Sequence, residues 1–456
     1  MTLSLKFLAA QIQAAYLDPP GASGVEIPVA PFCIDTRLLK PGEIFIAIQA
    51  ERDGHDYVQQ AIEKGASAVM VSRKREVCVP QILVQDTVLG MGALAHEIRK
   101  AYTLPVIGLT GSCGKTSTKE MIALILAEMG ETLYTEGTLN NHLGVPMTLS
   151  RLTPQHRFAV IEMGTNHVGE IPYLAQIVEP TVALITNIRA SHLEGFGSFE
   201  ALADEKSKIY AHLAPTGIAL INQDEVYAPL FSQTLDRQHQ VTFGVHHPAD
   251  VRGSDQHFEA TGVSFLLTTP LGSTRIQVPL LGDHVIYNAV AAAAAALSVG
   301  ADHAVIQRGL AKLKPMSGRF HPHTLPQGGV LIDDAFNASA SSVENAILSL
   351  DRFEGDRLFV MSSMGELGAF SVSYHENMGD WIAHSHIRKA FLTGDLSLLQ
   401  HTINHACGKA VYFETHALLL KALEPELSSQ SVVLVKGSHA HHMQEIVKAL
   451  LGVGRK

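Results

Sequence analysis

A chain of 456 residues, 46% of them hydrophobic and 17% charged, has the make-up of a globular α/β protein with material for about three domains. Its formal net charge of −10, with histidine neutral, argues against a nucleic-acid groove, which needs a basic face. The longest apolar run, 289–297, is too short to cross a bilayer, and Lys6 is followed only by residues 7–10 before Gln11 and Gln13, which is no signal peptide. Cys33, Cys78, Cys113 and Cys407 have neither metal nor redox spacing and fit a reducing compartment, so a cytoplasmic protein without membrane insertion or nucleic-acid partner is expected.

In chain order, the apolar runs at 42–48 and 68–71 predict strands, with a helix-like stretch from Asp56 between them. Residues 84–87 lead into a connecting helix whose apolar face holds Leu94 and Ile98. A strand at 106–110 runs into a glycine-containing turn, beyond which Met121, Ile122, Ile125, Leu126 and Met129 recur at helical spacing. Strands at 158–162 and 182–186 alternate with helical stretches, the mark of a parallel sheet covered on both faces. Residues 241–281 break into shorter β-like pieces with Gly and Pro turns and predict an antiparallel flap, followed by an alanine-rich helix at 287–299. Residues 314–318 punctuate the chain as a linker. Strands at 330–334, 358–361, 390–392 and 432–435 then alternate with helices as in a Rossmann-like domain, but without the Gly-x-Gly-x-x-Gly fingerprint of dinucleotide binding. The expected fold is α/β in three domains: a small N-terminal α/β domain (1–85), a central parallel sheet built on a P-loop (86–314), and a C-terminal Rossmann-like domain (315–456).

Thr110-Gly111-Ser112-Cys113-Gly114-Lys115-Thr116, set between a strand and a helix, is a phosphate-binding loop. Its glycines let backbone N–H groups and the helix N-terminus converge on one anion. Lys115 is placed to neutralise β/γ-phosphates and the Thr116 hydroxyl to ligate magnesium, so the chain is expected to bind a nucleoside triphosphate. The strict spacing is not met, because Leu109 stands where that pattern has its first glycine. Glu162, at the carboxyl end of its strand, is placed as a magnesium ligand, the alternative being an exposed strand-end acid. His192, just past the next strand, suits a metal or phosphate role. Asn140 and Asn141 offer amide donors and acceptors to a polar substrate, or form a simple loop. Arg319, Asp334 and Lys436 could reach a nucleotide from across a cleft, each being equally consistent with an ordinary surface role. Lys206, among acidic neighbours on a predicted helix, reads by composition as a solvated lysine.

These pieces, in this order, resemble the Mur ligases, which build the peptidoglycan precursor, over nearly the whole chain. The loop 110–116, the run from Thr138 through Asn140, Asn141, Gly144 and Pro146 to Thr148, the stretch 162–171 and the stretch 192–198 all carry the resemblance. So do 35–37 and 40–45, similar to the domain that holds the UDP-sugar, and Phe336-Asn337-Ala338-Ser339, similar to a Tyr-Asn-Ala-Asn stretch of one branch. The resemblance implies an ATP- and magnesium-dependent ligase that activates the tripeptide carboxyl of UDP-N-acetylmuramoyl-tripeptide as an acyl phosphate and joins it to D-alanyl-D-alanine, acting as a monomer. It places Thr110, Gly111, Ser112, Cys113, Gly114, Lys115, Thr116, Asn288, Arg319 and Asp334 at ATP, and Asp35, Thr36, Arg37, Asn140, Asn141, Asn337 and Lys436 at substrate. Lys115, Glu162, His192 and Lys206 become catalytic, with Thr116, Glu162, His192 and a carbamylated Lys206 as metal ligands. The chain departs from the family pattern at Val285, at Ser362 and Ser363, and at His439, where a permanently charged arginine fork is replaced by histidine. Those departures keep two alternatives in view: a related Mur or folylpolyglutamate-type ligase for another amine, and a catalytically impaired binding paralogue.

Overall fold

A computed structural model of the chain describes residues 3–452, apart from 192, 234, 236–238, 260 and 438, with only the backbone at 439. Three sheets follow one another along it. The first, spatial order Ala15–Leu17, Gln81–Leu83, Ala68–Val71, Ile44–Ile46, Phe32–Cys33, is parallel except for its first strand. In the central sheet, Gln240–Gly244, Ile218–Asn222, Val182–Ile185, Val106–Thr110, Phe158–Glu162 and Thr132–Tyr134 run parallel. Val106–Thr110, in the middle, is buried at every position, as a strand covered on both faces must be.

One face is covered by Lys115–Ala127, against which the alanine-rich helix packs. Because Ala289 and 291–296 are buried around the whole helix, the two backbones can come close together. Gly309, on a third helix, also lies where a Cβ would strike the backbone of Ile125. The other face is covered by Glu170–Val178 and by Thr87–Lys100, which also packs on Leu5–Gln11 and Gly144–Leu149, so one helix joins the first sheet to the second. The third sheet, order His321–Thr324, Val330–Asp334, Ser431–Lys436, Asp356–Ser362, Lys389–Thr393, Ala410–Tyr412, is parallel beyond its first strand. Its parallel strands bring Asp334 and Lys436 to adjacent carboxyl ends. Asp333 fixes the linker: its carboxylate accepts from Gly318 N (2.7 Å), Ser317 Oγ (3.2 Å) and Ala335 N (3.2 Å).

Several expectations need correction. Residues 241–281 are not a flap but the far edge of the central sheet: Gln240–Gly244 adds parallel, Val251–Glu259 continues it, and only then do Gly262–Thr269 and Gly272–Val278 pair antiparallel. A register shift between Ser254 and His257 bends that edge. The strand expected at 42–48 is confined to Ile44–Ile46, since Gly42 takes φ +93° in the preceding turn. The alanine-rich helix begins at His284 and ends at Leu297. Among the described residues, no helix is long and apolar enough to cross a membrane.

Arg99 pins the connecting helix to the central unit. Its guanidinium donates to Val178 O (3.0 Å), Glu179 O (2.9 Å) and Tyr102 O (3.1 Å), satisfying carbonyls at the end of Glu170–Val178, where Glu179 turns to φ +43°. Arg99→Met leaves those carbonyls without a charged donor and should cost about 1.5–3 kcal/mol. Thermal unfolding checks it: a midpoint several degrees lower, with ADP affinity unchanged.

Candidate active site

The loop after Val106–Thr110 is held open by its own backbone. Gly111 (φ +146°) and Gly114 (φ +79°) occupy conformations that L-residues rarely adopt, and a Cβ on either would clash, with Thr186 Oγ1 and Asn288 Oδ1 respectively. Side chains from the next strand end complete the anchoring. Cys113 N donates to Asn187 Oδ1 (2.9 Å), while Thr186 Oγ1 (2.7 Å) and Asn187 Nδ2 (3.0 Å) donate to Cys113 O. Lys115 opens the helix and, half-buried, folds its Nζ back onto Gly111 O (2.8 Å). Burial lowers its pKa, opposed by the Glu162 carboxylate.

Glu162 ends its strand at 1% exposure. One oxygen, Oε1, accepts from Asn140 Nδ2 (2.7 Å) and Thr116 Oγ1 (3.3 Å), whereas Oε2 is buried with no hydrogen-bond partner. A buried carboxylate oxygen left bare beside a threonine hydroxyl is the donor set a hard divalent cation takes. Thr116 Oγ1 also receives Arg319 Nη2 (3.1 Å) from the third segment, with the Arg319 guanidinium 4.3 Å from the centre of the Phe336 ring. Cys113 Sγ and Ser339 Oγ, 3.3 Å apart, form a second contact across this cleft.

Lys206 is not solvated, contrary to what its composition suggests. It is fully buried and its Nζ has no hydrogen-bond partner. Its neighbour Glu205 explains the burial: Glu205 Oε1 accepts from Gly169 N (3.0 Å) and Ile171 N (2.9 Å), docking Phe199–Ser207 onto the start of Glu170–Val178 and turning Lys206 inward. Burial, then the Lys115 charge, pushes its pKa far down and favours the neutral amine.

Asn140, Glu162, Lys115, Thr116, Asn288, Arg319, Asp334, Asn337 and Lys436 line one cavity of about 980 Å³ between the central and third sheets, together with Ser112, Cys113, Gly114 and Asn141. Asp334 is committed within it: Oδ2 pairs with Lys436 Nζ (2.6 Å) and Oδ1 accepts from Phe320 N (3.1 Å). Asn337 is exposed, its Oδ1 accepting from Ala338 N (2.9 Å). Asn141 Oδ1 caps the following turn through Gly144 N (2.9 Å). Thr110 is buried beneath the loop, its hydroxyl without a partner. Asp35, Thr36 and Arg37 do not line this cavity. Arg37 Nη2 meets Asp35 Oδ2 at 2.6 Å, holding that carboxyl down to about 2, and Thr36 Oγ1 donates to Gln60. They follow the strand Phe32–Cys33, whose Phe32 N donates to Ser150 Oγ (2.9 Å), just past the helix after Asn141. His192 lies outside the described residues, as does the side chain of His439. Val285 is buried in its helix, and Ser363 Oγ meets the cavity-lining His441 Nε2 at 3.3 Å.

Three features of the wall escaped the sequence reading. Arg189 is tied to the buried Glu225, Asp224 holds the loop at 245–247 through three backbone N–H groups, and Tyr287 hydrogen-bonds His246. A run of strand-end polar residues, Thr186-Asn187 and Asn222–Asp224, was the available signal.

Comparison with known proteins decides the family. Residues 109–296 match the Mur ligase middle domain, and residues 318–439 match the domain described as "Mur ligase, glutamate ligase domain". The UDP-N-acetylmuramoyl-tripeptide–D-alanyl-D-alanine ligase of Escherichia coli is 40% identical over 94% of this chain and 95% of its own length. The chain belongs to the Mur ligase family. A crystal structure of MurF from Acinetobacter baumannii superposes with a TM-score of 0.91 at 32% identity, covering 99% of each chain. MurF of Thermotoga maritima, solved in complex with ADP, shares the fold with a TM-score of 0.81 at 24% identity over 93% of this chain and 98% of its own.

Within that cavity Lys115 is the cation nearest the anion-binding backbone. Lys115→Ala should lower ligation by about 10²–10³-fold, the usual effect of removing one charge-stabilising donor from a transferring group. Single-turnover kinetics at saturating ATP, with circular dichroism confirming the fold, checks this.

Proposed function

We propose that this protein joins D-alanyl-D-alanine to the terminal carboxyl of UDP-N-acetylmuramoyl-tripeptide, splitting ATP to ADP and phosphate, in peptidoglycan precursor synthesis. The observation that carries the reading is the contact of Arg319 with Thr116 at 3.1 Å, which makes one wall of the phosphate site from the third segment. A nucleotide on the loop is thereby enclosed by the unit that must present the second substrate.

A carboxylate is a poor electrophile, so the tripeptide carboxyl first attacks the γ-phosphorus, giving an acyl phosphate and ADP. The dipeptide amine then attacks the acyl carbon and phosphate leaves. The loop N–H groups and Lys115 hold the β/γ-phosphates, while Arg319, stacked on Phe336, adds charge from the far side. Asn140 and Asn141 border the tripeptide end, and 35–37 the UDP-sugar end. Asn337 and Lys436 lie on the wall that meets the incoming dipeptide. Contacts between the two walls exclude water, which would otherwise hydrolyse the acyl phosphate.

Thr116 Oγ1 and the bare Oε2 of Glu162 suit magnesium, which when bound supplies positive charge to the phosphoryl oxygens. His192 and Lys206 are assigned to a second cation, Lys206 as a carbamate. A neutral buried amine is the form that carbon dioxide requires, and the product is an anion. The enzyme is read as a monomer, as the family resemblance implies. The unpaired cysteines support a cytoplasmic one.

Two measurements test the reading. ADP release should need UDP-N-acetylmuramoyl-tripeptide, and product should form with D-alanyl-D-alanine in preference to single amino acids or glutamate. ATP turnover without the UDP-sugar, or preference for another amine, would sink the assignment. For Lys206, ¹³CO₂ should give a carbamate carbon signal that Lys206→Ala abolishes, and added short carboxylates should restore part of that variant's lost activity. An unmodified amine in the magnesium-bound enzyme counts against the carbamate.

A further inference from the structure

Lys119 lies one turn beyond Lys115, fully buried, in a helix whose neighbouring Met121, Ile122 and Ile125 are core residues. An ammonium has three N–H donors and no acceptor, and burying one is costly unless all are used. Here two are taken by carbonyls, Thr135 O at 2.6 Å and Gly137 O at 3.3 Å, and the charge is paired with Glu120 Oε1 at 2.8 Å. The Tyr134 ring centre lies 5.6 Å away. An apolar side chain would fill the same space without the desolvation cost, so the ammonium is kept for what it holds.

It holds the start of the segment 135–141, and from that segment two bonds run to Glu162. Thr135 Oγ1 accepts from Glu162 N (3.0 Å), fixing the backbone at the strand end. Asn140 Nδ2 donates to Glu162 Oε1 (2.7 Å), and Gly164 N donates to Asn140 O (2.8 Å). The space allows nothing larger here, since a Cβ on Gly164 would sit 2.7 Å from Asn140 Oδ1. Glu162 Oε2 is the oxygen this arrangement leaves bare.

We propose that Lys119 is a positioning residue: it fixes the segment 135–141, so that Asn140 occupies one oxygen of Glu162 and keeps the other for a divalent cation. The same segment carries Asn140 and Asn141 into the cavity, so Lys119 couples the cation site to the tripeptide wall. Lys119 itself touches no reacting atom. The substrate half of this inference rests on the function proposed above.

Calorimetry of ADP binding separates the role from general damage. In EDTA, Lys119→Met should bind ADP like the parent, because the loop at 111–116 is untouched. The strengthening of ADP binding by magnesium should fall about 10–100-fold, the range for losing a group that orients a metal ligand. In the ligase assay, KM for UDP-N-acetylmuramoyl-tripeptide should rise and KM for D-alanyl-D-alanine should not. Lys119→Arg, still able to donate to the two carbonyls, should recover part of both. Asn140→Ala keeps Lys119 but cuts its link to Glu162, and should reproduce the weak magnesium response; it decides the matter if Lys119→Met does not fold. A parent-like magnesium response in either variant overturns the proposal, as does a matching loss of ADP binding in EDTA. Should the parent itself fail to ligate D-alanyl-D-alanine, the function reading falls while the ADP and magnesium arm still judges Lys119.

Discussion

A carboxylate at 1% exposure with one oxygen unsatisfied is the constraint on which this site is built. Leaving Glu162 Oε2 bare costs several kcal/mol in a protein interior, and a fold without use for it would replace or pair it. Instead, three separate segments converge on the other oxygen and its neighbour: Thr116 from the phosphate loop, Asn140 from the loop after Thr132–Tyr134, and Arg319 from beyond the linker. The strand order places these within reach. Phe158–Glu162 lies between Val106–Thr110 and Thr132–Tyr134, so loops from both sides end beside its last residue.

The third sheet closes on this centre through contacts in and around the cavity. At its rim, Arg352 pairs with the lining residue Asp283 (2.6 Å) and lies over the Phe258 ring at 4.1 Å, while the Phe199 and Phe370 rings meet edge-on at 6.4 Å. Inside it, Arg319–Thr116 and Cys113–Ser339 meet beside the phosphate loop. Exposed ion pairs hold weakly, about 0–1 kcal/mol each. Such a closure can reopen to release product, whereas the Asp333 clamp on the linker is buried and stays made.

Sequence alone revealed the phosphate loop and Glu162 because their signals are local: two glycines, a lysine and a threonine in consecutive positions, and an acid ending an apolar strand. Lys206 and Lys119 left no such signal. A lysine reads by composition as solvated, yet each lies at helical spacing from buried apolar residues, Ile122 and Leu126 for Lys119, Leu202 and Ile209 for Lys206. Each is held inward by something distant in sequence: Lys206 by the cap Glu205 makes at Gly169 and Ile171, Lys119 by the carbonyls of Thr135 and Gly137. The edge at 240–278 was misread for a related reason. Strand pairing is a non-local property, and a parallel addition at Ala219–Gln240 leaves no mark in either segment. Residues 35–37 were reached only through the family resemblance, because an Asp-Thr-Arg turn paired to itself looks the same whether or not it meets a ligand.

Three lysines of this region divide the work by how they are satisfied. Lys119 is held by two carbonyls and paired with Glu120, which suits scaffolding. Lys115 is bonded only to carbonyls of its own loop, Gly111 and Ser112, and can exchange them for phosphate oxygens without moving the helix. Lys206 Nζ has no hydrogen-bond partner among the described residues, and burial beside Lys115 disfavours its protonated form. Bringing a phosphate chain into the cavity therefore changes the electrostatics of the last two and not of the first. The added negative charge offsets that of Lys115, whereas a Lys206 kept neutral by burial has no charge for Lys115 to repel.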